Sequence, residues 1–184
     1  VRWRQLGFES ASSLYQRLMV FSNGAGHIDL EQNFLRGPAT SSTTTLRALV
    51  YMPNSNLIEN LRLRNNRFVG GSHGIYLLGN TNGGNYAGGI EVDGNSFTDH
   101  YYRAMYLGGL RTAKVRNNTF LSNSNYSNIR GFEIANSYFG LEMTGNRVSG
   151  QNTGIGIFLD DVYGTVDQTV LLANNFVQVG GTNT

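Results

Sequence analysis

A short unit with an asparagine near its end recurs six times, and it constrains the fold of this chain more than any other feature. Each unit reads apolar, any, apolar, any, polar or Gly, Asn, any, apolar. The units cover residues 28–35, 61–68, 90–97, 113–120, 141–148 and 170–177, which contain Asn33, Asn66, Asn95, Asn118, Asn146 and Asn175. Successive asparagines lie 33, 29, 23, 28 and 29 residues apart. A fixed motif inside an irregular period of this length predicts a solenoid whose turns differ in loop length.

The alternation of apolar residues makes each unit a short β-strand with one buried side. The asparagine follows where the strand bends. Turns stacked ~4.8 Å apart would place its amide against the amides above and below, so we expect an internal asparagine ladder. A second strand follows each asparagine, at 48–51, 74–77, 104–107, 131–134 and 154–157. Residues 10–21 fit either a short helix or the second strand of a first turn, and the sequence Leu-Met-Val-Phe at 18–21 favours the strand.

Composition supports tight turns and excludes several classes of function. The chain has 24 Gly and 22 Asn, the residues that best tolerate positive φ. A formal net charge of +2 with 14% charged residues gives no electrostatic footprint for nucleic acid. Cysteine is absent, which excludes disulfides and thiolate metal sites. No apolar run approaches the ~20 residues that cross a bilayer.

The asparagine-bearing strand followed by a strand of the Gly-Ile-Tyr-Leu type (74–77) resembles the parallel β-helix repeat of the pectate-lyase-like superfamily, over about residues 28–180. Residues 170–184 also resemble stretches of long secreted β-helix surface proteins of Gram-negative bacteria. The resemblance implies an all-β fold, a right-handed single-stranded parallel β-helix of about six to seven turns. It further implies one domain over 1–184, a piece of a longer chain, secreted or at the bacterial cell surface.

Two outward columns on the first strand alternate in charge from turn to turn. They run Asp29, Arg62, Glu91, Lys114, Glu142, Leu171 and Glu31, Arg64, Asp93, Arg116, Thr144, Ala173. Opposite charges on neighbouring strands stabilise a parallel stack and like charges do not, so we interpret this face as a ladder of ion pairs. Lyases of the superfamily use Lys or Arg as the base, which makes Lys114 a weak catalytic candidate, although the alternation needs no catalytic explanation.

The second strand carries a basic row beside aromatic residues. Arg47, His73, Arg103 and Arg130 precede its small residue, and Val50, Tyr76, Tyr106, Glu133 and Gly156 point outward from it. Guanidinium groups pair with carboxylates and tyrosine offers a flat amphipathic platform, so this row predicts contact with an anionic sugar. The glycan-contact candidates are Arg47, His73, Tyr76, Arg103, Tyr106 and Arg130. The alternative is that Arg and Tyr stack on each other and have only a structural role.

Other catalytic candidates are weaker. His100 follows Asp99 in a tyrosine-rich corner, and Asp160 and Asp161 form an acidic pair. Paired carboxylates serve as acid and base in glycosidases, or bind Ca²⁺ through their oxygens. Polygalacturonases carry such a pair followed by Gly-His-Gly and Arg-Ile-Lys. Here Ser-His-Gly at 72–74 precedes the pair and Arg-Ile-Lys is missing, so no catalytic role is carried over. Apart from Ca²⁺ at the acidic pair, we expect no metal and no cofactor.

The superfamily contains polysaccharide lyases, polygalacturonases, alginate epimerases, phage tailspikes and adhesins, so the fold leaves the activity open. Because the enzyme motifs are incomplete, we expect a non-catalytic extracellular or cell-surface segment with a structural or adhesive role. Its expected partners are a polysaccharide or cell-surface glycan and neighbouring β-helix turns of a longer chain. The first alternative is a polysaccharide-active enzyme, a uronate lyase before a glycoside hydrolase or an epimerase. The second is a section of a phage tailspike.

Overall fold

The computed structural model of the protein describes residues 1–22, 24–54, 58–80, 87–150 and 154–180, and it is an all-β solenoid of three parallel sheets. Sheet A contains β1 (Arg2–Arg4), β4 (Gly26–Glu31), β7 (Glu59–Arg64), β10 (Ala87–Gly88), β11 (Glu91–Asp93), β14 (Leu110–Arg116), the end of β16 (Ile129–Thr144) and β19 (Val170–Ala173). Sheet B contains β2 (Gly7–Glu9), β5 (Phe34–Arg36), β8 (Arg67–Val69), β12 (Ser96–Thr98), β15 (Thr119–Ser122), β17 (Arg147–Gly150) and β20 (Phe176–Val179). Sheet C contains β3 (Met19–Val20), β6 (Ala48–Met52), β9 (His73–Leu78), β13 (Arg103–Gly108), the start of β16 and β18 (Gly154–Val162).

The strands pair in parallel with the register that the repeat predicts for sheet A. Asp29 lies opposite Arg62, and Glu91 lies opposite both Arg62 and Lys114. The strand predicted at 18–21 is present as β3, which pairs with β6. A 3₁₀ helix, Thr45–Arg47, leads into β6. The predicted class, a parallel β-solenoid of about six turns, is confirmed.

The predicted asparagine ladder is confirmed at the corner between sheets A and B. From Asn33 to Asn146, Nδ2 of each asparagine donates to Oδ1 of the asparagine on the next rung at 2.9–3.0 Å. The backbone N–H of each donates to the same oxygen at 2.8–3.0 Å. Nδ2 also donates to a strand carbonyl of the preceding rung, at 2.7–3.0 Å. Amides buried in this way must be fully paired, and this pattern satisfies them.

The ladder begins at a rung that the asparagine motif does not reveal. Residues 1–8 keep the apolar spacing of the unit, with Leu6 in place of the asparagine. The backbone N–H of Leu6 donates to Oδ1 of Asn33 at 3.0 Å, which ends the ladder on this side. The residue before the ladder position is left-handed on every rung, with φ between 54° and 68°: Gln5, Gln32, Asn65, Gly94, Asn117, Gly145 and Asn174. This is why Asn and Gly recur there.

The core fills the interior with columns of apolar side chains from all three sheets. Leu30, Leu63, Val92, Val115 and Met143 are buried beneath sheet A. Phe68 and Phe97 stack beneath sheet B with ring centroids 4.8 Å apart. Side chains on the outer faces therefore form regular columns that run along the solenoid axis, and these columns carry the candidate sites.

Candidate functional site

The outward column of sheet C differs from the prediction at both ends. Tyr51 rather than Val50 lies opposite Tyr76, and Val50 is buried opposite Ile75. Phe158 rather than Gly156 lies opposite Glu133. The cause is that residues 48–52 and 155–159 are almost entirely apolar, so their sequence does not show which side of the strand faces the core. The observed column is Val20, Tyr51, Tyr76, Tyr106, Glu133 and Phe158.

Arg47 is also displaced from its predicted row. It ends the 3₁₀ helix, so Ala48 lies opposite His73 in its place. Its side chain is half-buried and donates to Oγ1 of Thr40 within the preceding loop. Arg47 therefore stabilises the preceding loop, and the prediction of a basic row that begins at Arg47 is wrong.

Three tyrosines of the column stack along the solenoid axis. The rings of Tyr51 and Tyr76 lie 5.8 Å apart and those of Tyr76 and Tyr106 lie 4.7 Å apart. Arg17 covers the end of the stack, with its guanidinium 3.5 Å from the centre of the Tyr51 ring. Burial raises the pKa of Tyr106 to about 12, so its hydroxyl stays protonated at neutral pH. The stack is half-exposed, and because the rings and Arg17 cover one another's faces, it presents mainly ring edges to solvent.

His73 is completely buried, which corrects its assignment as a glycan contact. Oγ of Ser72 donates to the carbonyl oxygen of Thr44 at 2.6 Å, so it accepts from Nδ1 of His73 at 2.8 Å. Nε2 of His73 is then left to accept from Arg103 at 3.4 Å. Burial, followed by the charge of Arg103, lowers the pKa of His73 well below its usual value, in agreement with a neutral ring.

Arg103, Glu133 and Arg130 form a compact charge network beside the tyrosines. Nε of Arg103 lies 2.5 Å from Oε2 of Glu133, and Nη1 of Arg130 lies 2.7 Å from Oε1. Nη2 of Arg103 also donates to the Tyr102 hydroxyl at 2.8 Å, and its guanidinium lies 4.0 Å from the centre of that ring. One buried carboxylate is thus shared by two guanidinium groups, so this trio has a net charge of +1.

An open cavity of about 510 Å³ lies at the start of sheet C, and Tyr102, Tyr126 and Arg130 contribute to its lining. The rings of Tyr102 and Tyr126 meet edge to face at 5.5 Å. The guanidinium of Arg130 lies over the Phe158 ring at 4.3 Å and reaches the cavity. No sequence pattern pointed to Tyr126, because it lies in a loop outside the repeat. This cavity and the tyrosine stack form what we call the Tyr–Arg surface: Tyr51, Tyr76, Tyr102, Tyr106, Tyr126 and Arg130.

Comparison of the chain with models of protein families agrees with this fold. The model of the right-handed β-helix region matches residues 48–183. The chain belongs to the right-handed β-helix family. No curated protein and no solved structure matches it. Within the part of the chain that the structure describes, no helix has the length and apolar character needed to cross a bilayer.

His100 is enclosed in the core of this β-helix rather than exposed at a corner. Its ring lies between Phe97 and Phe120, with centroid distances of 6.0 and 6.3 Å. Burial lowers its pKa to about 4. A fully buried ring cannot touch a substrate, so the structure does not support His100 as a catalytic base.

Asp160 and Asp161 lie on β18 and are exposed. Asp161 has a φ of 50° and its Oδ1 accepts from the Tyr163 hydroxyl at 3.2 Å, a hydrogen bond that raises the pKa of Tyr163. Among the described residues, no three His, Cys, Asp or Glu side chains lie close enough together to form a metal site. Calcium at this pair stays a prediction.

Lys114 lies on sheet A between Glu91 and Glu142, in the predicted column. The ion pairs of this face run both along the columns and diagonally between them. Arg62 lies 3.8 Å from Glu91, and Arg116 contacts Glu91, Asp93 and Glu142 at 3.3, 3.4 and 3.8 Å. The arginines and acids of this face form the predicted ion pairs, but within the described part of the chain Lys114 lies between two acids without an ion pair to either. Lys114 occupies one position in this periodic pattern.

Proposed function

We propose that this chain is a non-catalytic, extracellular or cell-surface β-helix whose Tyr–Arg surface contacts an anionic glycan. The observation that carries the proposal is that Arg130 lines the same open cavity as Tyr102 and Tyr126. Glu133 neutralises only one of the two arginines that it contacts, so a carboxylate or sulfate group placed here gains a partner. Aromatic rings beside the guanidinium suit the apolar faces of a sugar.

The positions of the candidate catalytic residues support a non-catalytic role. Lys114 lies on sheet A, His100 is in the core, and Asp160 and Asp161 lie on β18 of sheet C. General acid–base catalysis needs its groups within hydrogen-bond reach of one substrate. Residues on different faces of a solenoid do not meet that requirement. The likeness of residues 170–184 to secreted surface proteins supports the extracellular part of the proposal.

Binding to an array of uronate-containing and sulfated glycans tests the contact surface. Arg130→Gln is the informative variant, because Glu133 keeps Arg103 as its partner and the network persists. We expect it to weaken binding at least about tenfold, the value of one charge-assisted hydrogen bond. The matched control is Arg67→Gln on sheet B, which removes the same charge from another face.

Three results would contradict the proposal. The first is an absence of binding to every anionic glycan, and the second is an equal loss of binding in the two variants. The third is the appearance of unsaturated uronate, seen as ultraviolet absorbance during incubation with uronate polymers. That product would identify a lyase and restore the enzymatic alternative.

A further inference from the structure

Two arginines on the outer face of sheet B differ from those of the sheet A ladder in having no acidic partner. From β8 to β20 the strands of sheet B contain Arg67 and Arg147 but no Asp or Glu. Glu9 on β2 lies 3.9 Å from Arg36, and Asp99 lies beyond the end of β12. Within the part of the chain that the structure describes, neither Arg67 nor Arg147 forms an ion pair or a side-chain hydrogen bond. On sheet A, by contrast, the arginines contact acids on neighbouring rungs.

These two arginines belong to one outward column that runs along the solenoid axis. The strand register gives the column the order Phe34, Arg67, Ser96, Thr119, Arg147, Phe176. The residue types therefore read the same from either end: aromatic, cation, hydroxyl, hydroxyl, cation, aromatic. Arg67 and Arg147 are separated by three rungs, which places their backbones roughly 14 Å apart. We call these six residues the sheet B column.

Each arginine of the sheet B column is held against an aromatic ring. The guanidinium of Arg67 lies 5.5 Å from the centre of the Phe34 ring, and that of Arg147 lies 4.7 Å from the centre of the Phe176 ring. A guanidinium that packs its face on a ring keeps the N–H groups of its edge free for another partner. Both arginines are exposed, so their donors are positioned by the fold but are not used by it.

The hydroxyl groups between the two arginines are also unused. Ser96 and Thr119 lie opposite each other in the column, and Thr98 and Ser149 point outward from the same strands one column away. None of these four side chains makes a hydrogen bond to another described residue. Leu121, in the neighbouring column, is 47% exposed. The face therefore combines free cationic donors, free hydroxyls and exposed apolar area without any negative charge of its own strands.

From this geometry we infer that the sheet B column binds an acidic segment of another protein, whose carboxylates reach Arg67 and Arg147 together. The planar fork of a guanidinium matches a carboxylate and can bind it through two parallel hydrogen bonds. Arginine and aromatic residues are enriched where proteins meet, and Lys, Asp and Glu are depleted, as they are from β8 to β20 of this sheet. The two outward columns lie only about 7 Å apart, so the strip suits a single segment that runs along the solenoid axis.

Other partners fit the column less well. A nucleic acid binds by neutralising many phosphates, and an anionic membrane binds clusters of about four to eight cations, whereas this column has two. A second copy of the chain is disfavoured, because a two-fold contact through the symmetric column would bring Arg67 of one copy against Arg147 of the other. The inference is independent of the proposed function, since the Tyr–Arg surface shares no residue with the sheet B column.

Titration of the full chain with two acidic peptides, followed by ¹⁵N NMR at low ionic strength, tests the inference. Extended hexaglutamate spans ~17 Å between its first and last residues and can bridge the two arginines, whereas triglutamate spans only ~7 Å. We expect hexaglutamate to bind at least about tenfold more tightly than triglutamate, to shift the Nε–H signals of Arg67 and Arg147, and to dissociate in about 0.5 M NaCl. Arg67→Gln and Arg147→Gln should each reduce the affinity for hexaglutamate to that for triglutamate.

Matched controls separate this site from general charge attraction and from the Tyr–Arg surface. Arg62→Gln removes the same charge from sheet A, and Arg130→Gln removes it from sheet C, so both should bind hexaglutamate as wild type does. Circular dichroism should show the same unfolding midpoint for the Arg67→Gln variant as for wild type, because the side chain is exposed and unpaired.

Four results would overturn the inference. The first is an absence of binding to hexaglutamate, and the second is equal binding of the two peptides by the wild-type chain. The third is an equal loss of hexaglutamate binding in Arg67→Gln and in either control variant. The fourth is binding of a heparin hexasaccharide that Arg67→Gln abolishes, in a chain that does not bind hexaglutamate, since it would assign the column to a sulfated glycan.

Discussion

Sheets A and C place opposite charges on neighbouring rungs, but they do so at different depths. On sheet A the side chains of Arg62 and Glu91 are 50% and 23% exposed. On sheet C those of Arg103 and Glu133 are 13% and 6% exposed. The same parallel stack therefore carries a solvated ion-pair ladder on one face and a nearly dry network on another.

The difference in burial separates two roles for the same residue types. Exposed pairs contribute little to stability because water and salt screen them. In a buried network each charge depends on its partners, since an unpaired charge there has lost its hydration. We infer that the face of sheet A tolerates substitution, whereas the network of sheet C is a single unit that fixes the position of Arg130 and the tyrosines.

The largest expected effect comes from Glu133→Gln. It leaves Arg103 and Arg130 as neighbouring like charges in a mostly buried site, and we expect it to lower the free energy of unfolding by about 3–5 kcal/mol. The matched change on sheet A, Glu91→Gln, should cost less than about 1 kcal/mol. Urea unfolding followed by circular dichroism measures both. Similar losses of unfolding free energy in the two variants would contradict the inferred difference between sheets A and C.

The second effect is a loss of stability in acid that arises beside sheet C. The pKa of His100 falls from 6.5 in the unfolded chain to about 4 in the folded one, because the ring is buried. Below pH 6.5 the unfolded chain binds a proton that the folded chain takes up only near pH 4, so stability falls as pH falls through this window. The loss attributable to His100 is about 3 kcal/mol, and the lowered pKa of His73 acts in the same direction.

His100→Gln checks this assignment, because it removes the titrating ring and keeps a polar side chain. Its urea midpoint, measured from neutral pH down to about pH 4, should fall less steeply than that of wild type. If the two curves run parallel, the acid sensitivity does not come from His100, and the buried His73 is the next group to test.

The smallest effect is expected from Lys114→Glu, which places three acids in a row on sheet A with Glu91 and Glu142. Like charges on neighbouring strands should lower the free energy of unfolding by about 0.5–1 kcal/mol. The loss should disappear in about 1 M NaCl, where the screening length is only a few ångströms. A loss that persists in salt would mean that this face is less solvated than its exposure indicates.

The sequence predicted sheet A better than sheet C for a physical reason. Polar and apolar residues alternate in units such as 90–97, so the buried side and the register are both determined. The second strands contain consecutive apolar residues, as in 48–50, and the pairing of Val50 was therefore missed. The burial of His73 and His100 depends on residues from other rungs, which a local pattern does not contain.

The asparagine ladder has a consequence for how such a chain can change over evolutionary time. Each of these hydrogen bonds of Asn95 joins it to an adjacent rung or to its own strand. None of them depends on the number of residues between rungs. The ladder spacing stays the same whether 23 or 33 residues separate two asparagines. Insertions and deletions in the connecting loops thus leave the core unchanged. The loops at the corners can diversify by gain or loss of whole segments, while the scaffold beneath them needs no compensating substitutions.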